Sequence, residues 1–124
     1  MSLNATYAPC PSCDSRIAEK CRTKQTGAIT DTHGARRALV NAPGFDFLGS
    51  LTDSTVAREV ITAARSGDRK AVKRAANYAL MILDHLPFND ARYTRLDDAR
   101  PDVLLNTNDP VLLEGLLDAL KSFT

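Results

Sequence analysis

Three cysteines and one histidine, spaced Cys10-x2-Cys13-x7-Cys21-x11-His33, constrain this chain more than any other feature. A Cys-x2-Cys turn points two thiolates at one ion from a tight knuckle, and a third Cys with a His completes a tetrahedron of soft and borderline donors. The spacing therefore predicts a single structural Zn²⁺ held by Cys10, Cys13, Cys21 and His33. The competing reading, three free buried thiols and a surface histidine, gives no reason for the cysteines to gather around a turn-forming Pro-Ser pair. An odd cysteine count suits neither a disulfide framework nor an oxidising compartment, so the expected location is the reducing cytoplasm.

Around these ligands the sequence offers little to bury, with Tyr7 and Ile17 the sizeable apolar residues. Zinc must then supply most of the folding free energy of this part, on the order of 10 kcal/mol for isolated finger peptides. Three thiolates on Zn²⁺ leave a net charge of −1, and Lys20, Arg22, Lys24, Arg36 and Arg37 are placed to offset it. The same cations, on long side chains, are equally suited to phosphate, and the sequence leaves both readings open. A turn at Gly27 followed by Asp31 or Thr32 as N-cap predicts a short helix through His33 to Val40. Asp31 is the nearest acceptor in sequence for the outer ring N–H of His33.

These residues carry a resemblance. Cys10-Pro11-x-Cys13, Cys21-Arg22-Thr23, Gly27 and His33-x-x-Arg36 together resemble the small DNA-binding phage zinc finger family of actinobacterial phages and their hosts. The match covers about residues 8 to 40. It departs at Asp14, where the family usually has Gly. The resemblance implies zinc binding through the four ligands, nucleic-acid binding and a phage origin.

The remainder reads as helical. Asn41-Ala42-Pro43-Gly44 breaks the first helix and suggests a boundary between a zinc finger module, 1–43, and a helical domain, 44–124. Phe45, Phe47, Leu48 and Leu51 form an apolar cluster, read as a core plug or as a hook for a partner protein. A helix from Thr52 to Ser66, capped by Thr52 or Asp53, precedes Gly67. Asp68 then caps a second helix from Arg69 to about Leu86, and the short turn makes the pair an αα-hairpin over about 52–86. Residues 87–108 are polar and read as an ordered connection with at most one helical turn. Asp109-Pro110 opens a last helix, about 109–122, whose Leu112, Leu113, Leu116, Leu117 and Leu120 either close a three-helix core or form a dimer seam. The expected fold class is mainly α: a Cys3His finger, an αα-hairpin and a C-terminal helix.

Formal charge is nearly balanced, +1 overall, but unevenly spread. Residues 58–74 carry six Lys/Arg against Glu59 and Asp68, and residues 75–124 carry four against eight acids. Arg69, Lys70, Lys73 and Arg74 lie on one polar face at the hairpin tip, either as a solvated face or as a ridge for phosphates. There is no apolar run long enough to cross a membrane and no export signal pattern. An enzyme is not expected. Four ligands leave no open position on zinc, His85 beside Asp84 has no nucleophile or elbow near it in sequence, and Gly44, Gly49 and Gly67 lack phosphate-loop spacing. Two functions remain: nucleic-acid binding through Arg22, Lys24, Arg36 and Arg37 on the finger and Arg69, Lys70, Lys73 and Arg74 on the hairpin, or docking on a host protein such as RNA polymerase, a nuclease or a ribosome through the leucine-rich end or the Phe45/Phe47 segment.

Overall fold

The computed structural model describes residues 6–23, 26, 28–30 and 33–124, and the chain divides into two compact units, Met1–Ser50 and Leu51–Thr124. It is mainly α-helical, with a Cys3His cluster in the first unit and an αα-hairpin and C-terminal helix in the second. Among the described residues no helix is long and apolar enough to cross a membrane.

In the first unit the chain runs through irregular turns to an isolated antiparallel bridge, Arg22 with Ile29, and then to helix α1, Gly34–Asn41. His33 is the N-cap of α1, and its carbonyl accepts from the backbone N–H groups of Arg36 and Arg37. Its imidazole makes no capping bond and is free to face the thiols. The caps expected at Asp31 or Thr32 lie outside the described residues, as does the turn expected at Gly27.

The Ala42-Pro43-Gly44 break is present, with Gly44 in the left-handed region at φ 80°. The compact unit nevertheless continues past it to Ser50. The reason is aromatic: Phe47, which opens α2 (Phe47–Leu51), meets the Tyr7 ring edge-on at 5.0 Å and the Phe45 ring at 4.9 Å. Ser50 Oγ donates to the Tyr7 carbonyl at 2.7 Å. Phe45 and Phe47 of the expected apolar plug are thus part of the finger's own packing, while Leu51 falls in the second unit.

The second unit is built on the hairpin of α3, Ser54–Ala64, and α4, Arg69–His85. Both N-caps are the aspartates the sequence nominates: Asp53 accepts from the Thr55 N–H and Asp68 from the Ala71 N–H. Gly67, at φ 77°, makes the left-handed turn between them. Ala57, Ala64, Ala75, Ala76 and Ala79 are fully buried, so small side chains line the inner faces and the helices approach closely. The Tyr78 hydroxyl, buried with them, donates to the Leu51 carbonyl. Burial pushes this phenol well above its usual range.

Residues 87–108 correct the expectation of a connection. They form α5, Ala91–Asp98, and α6, Pro101–Leu104. α5 buries only Leu96, so its sequence shows almost no apolar stripe. It is held instead by polar contacts: Asp90 caps it through the Arg92 N–H, and the Arg92 side chain bonds both Asp90 oxygens and lies over the Phe123 ring at 4.8 Å. The Arg92 guanidinium holds the Asp90 carboxyl down at about 2. Helix α7, Pro110–Leu120, starts at the Asp109 cap and sinks Leu116, Leu117 and Leu120 into the core of this unit, with α3, α4, α5 and α6 as neighbours.

Candidate metal centre

The knuckle is closed by two backbone bonds, Asp14 N–H to the Cys10 carbonyl and Cys10 N–H to the Ser15 carbonyl, each 2.9 Å. Asp14 sits at φ 59°, the left-handed conformation that glycine adopts without cost. Aspartate is one of the few other residue types that tolerates this conformation, through local hydrogen bonding of its short side chain. The bridge then positions Cys21: the Cys21 carbonyl accepts from Thr30 N–H at 2.9 Å and Thr23 N–H donates to Ala28 at 2.9 Å, folding the chain back towards His33.

The donor atoms of Cys10, Cys13, Cys21 and His33 all lie within 4.8 Å of one another. A tetrahedral ion with bonds of about 2.3 Å to sulfur and about 2.0 Å to nitrogen requires S···S edges of about 3.8 Å and S···N edges of about 3.5 Å. Cys10 Sγ and His33 Nδ1 are 3.5 Å apart, the length such an edge demands. The four donors fit one metal ion and leave no vertex of the tetrahedron for another ligand. All three cysteines are free thiols.

The surroundings favour thiolates. Against the cost of burial, the Ser15 hydroxyl 3.1 Å from Cys13 Sγ and nearby backbone N–H groups bring the Cys13 thiol down to about 5. For Cys21, burial is likewise overcome by bonds from His33 and Arg36, and its thiol is lowered. Cys10 goes the other way, raised chiefly by burial.

Ala18 shows how tightly the loop between Cys13 and Cys21 is drawn. It stands at φ 65°, in the left-handed region without a side chain suited to it, and its N–H donates to the Thr6 carbonyl at 2.9 Å. Ala18→Gly removes the Cβ clash and should stabilise the finger by about 0.5–1 kcal/mol. Where metal binding and folding are coupled, a chelator competition reads such a gain as a metal affinity about twofold to fivefold higher.

The basic residues separate into different roles. Arg36, nominated for nucleic acid, is completely buried. Its Nε donates to the Ala8 carbonyl at 2.8 Å, Nη1 to the Glu19 carbonyl at 2.8 Å and to Cys21 Sγ at 3.4 Å, and Nη2 to the Arg16 carbonyl at 3.0 Å. Arg74 is 6% exposed and forms a two-pronged pair with Glu59, at 2.7 and 2.6 Å. Neither presents its charge to a ligand. Arg22 and Arg37 are exposed on the finger, and Arg69, Lys70 and Lys73 on the hairpin, while Lys24 lies outside the described residues. Arg65, at the end of α3, is also exposed and joins the hairpin set. The partner of Arg74 is fifteen residues away on another helix, and no local signal marks it. For Arg36 the His33-x-x-Arg36 spacing was a signal, since it places the side chain on the metal face of α1.

No protein-family model, curated protein or solved structure matches the chain.

Proposed function

We propose that this is a zinc protein in which the metal folds the first unit and the hairpin of the second binds the phosphate backbone of a nucleic acid. The observation that carries the nucleic-acid reading is the hairpin tip: Arg65, Arg69, Lys70 and Lys73 are exposed, and among the described residues none has a carboxylate within ion-pair distance. Cations that outnumber the acids at a short turn and are not held in ion pairs attract an anion by summed field, and backbone contacts of this kind carry affinity without reading sequence. The Cys3His donor set, with two thiolates favoured by their surroundings, supports Zn²⁺ as the ion and a structural role for it. Three thiols kept as ligands suit a reducing cytoplasm. The resemblance to the phage finger family supports a phage origin and the same ligand class.

A second reading, docking on a host protein, draws on Phe88, which is 83% exposed beside Tyr93. Of the leucines nominated for such a surface, Leu116, Leu117 and Leu120 are buried in their own unit, and Leu112 and Leu113 are half-buried.

Binding of the zinc-loaded protein to generic double-stranded DNA and to single-stranded RNA, followed by fluorescence anisotropy at low and physiological salt, tests the proposal. The expected result is affinity that falls steeply with salt. Lys70→Glu with Lys73→Glu should weaken it about tenfold or more and reduce the salt slope by about two contacts' worth. Absence of binding at low salt, or a double variant that binds like the parent, would overturn it and leave Phe88→Ala against host proteins as the next experiment.

A further inference from the structure

The interior of the finger holds a guanidinium where a small domain of this size would ordinarily hold carbon. Arg36 is fully buried, and three of its four acceptors are neutral backbone carbonyls, of Ala8, Arg16 and Glu19. The fourth is Cys21 Sγ. A buried cation requires an anion, and among the described residues no carboxylate is hydrogen-bonded to it. On the reading that the Cys3His cluster holds a divalent metal, three thiolates and the ion sum to −1. With the guanidinium the buried assembly is neutral.

We propose that Arg36 is the resident counter-ion of the metal centre: its charge makes a three-thiolate site stable around a divalent ion and restrains the nucleophilicity of the Cys21 sulfur. The three carbonyl bonds fix the guanidinium in place, and the bond to sulfur draws electron density from the ligand. A thiolate that donates to metal and accepts an N–H bond is a weaker nucleophile than one that does not, because part of its lone-pair density is already engaged. Arg36 thereby makes this centre inert as well as tight.

Two substitutions separate charge from shape. Arg36→Lys keeps the cation and loses the planar fork; Arg36→Gln keeps hydrogen-bonding ability and loses the charge. Zinc affinity is measured by chelator competition, the tetrahedral ligand field by the visible bands of bound Co²⁺, and sulfur nucleophilicity by the rate at which an alkylating agent modifies the zinc-loaded protein. R36Q is expected to lose about tenfold to a hundredfold in zinc affinity and to be alkylated faster, whereas R36K stays within about threefold of the parent. Equal losses in both variants would overturn the proposal, since they would mean that the fork and not the charge is what matters. If R36Q fails to give tetrahedral Co²⁺ bands, R36K decides alone: affinity within about threefold upholds the proposal, and a loss of about tenfold or more overturns it. A parent protein that binds neither Zn²⁺ nor Co²⁺ would instead refute the metal reading on which this inference rests.

Discussion

On the proposed zinc reading, stripping the metal with a strong chelator should unfold the finger and leave the helical unit standing. The described buried apolar residues of the first unit are few, chiefly Tyr7, Ile17 and Val40 with small neighbours, whereas the second buries complete rows of leucine, isoleucine and alanine. Metal binding is worth on the order of 10 kcal/mol to a domain of the first kind, more than its apolar contacts can replace. Circular dichroism should therefore keep the signal of α3 to α7 and lose that of the eight-residue α1. All three thiols should become reactive together. Acid should do the same, because ligands bind deprotonated and protons compete with the metal. Cys13, lowered to about 5 in the folded chain, contributes stability that is full above the ordinary thiol range and is lost progressively as pH falls from there to about 5, so its share of the loss should be complete near that pH. A Cys21→Ser protein with full zinc content would contradict the four-ligand site.

The second large effect is expected at Glu59. Arg74 is buried, its guanidinium is met by both Glu59 oxygens, and removal of the acid strands a cation inside the helical unit. Breaking such a pair from one side costs about 3–5 kcal/mol when both partners are buried; with Glu59 35% exposed, water can reach the vacated space and about 2–3 kcal/mol is expected for Glu59→Ala. Replacing both partners, Arg74→Met with Glu59→Leu, should recover most of that loss, because no charge is then left without solvent or counter-charge. Urea denaturation of the three proteins gives the comparison. Equal stability of Glu59→Ala and the parent would show that Arg74 finds another route to water.

What could be read from the sequence was whatever is written locally. The ligand spacing, the aspartate caps at Asp53, Asp68 and Asp109, and the glycine at the hairpin turn are each settled within a few residues, and the structure has them where they were expected. Helix α5 escaped because it shows the sequence only one buried leucine; its hold comes from an aspartate cap, an arginine over Phe123 and a pair to Asp118. Arg74 escaped for a related reason, and Arg36 could be read only as far as a choice between offsetting the thiolates and binding phosphate. An arginine reads as surface until the fold supplies acceptors from distant segments, and those of Arg36 come from residues 8, 16, 19 and 21. The eight cations nominated for nucleic acid were one class by composition and became several by tertiary contact.

The charged interior of the finger also sets how it responds to temperature. Heat-capacity change on unfolding tracks the apolar surface exposed and is reduced by polar exposure. A unit that opens a guanidinium, backbone carbonyls and metal ligands has a small change, so its stability varies almost linearly with temperature and holds up on cooling. The helical unit, with its hydrocarbon core, follows the usual dome and weakens at both ends. The two halves of one chain therefore have their stability maxima at different temperatures, and the half that is sturdier at the growth temperature need not be the sturdier one in the cold.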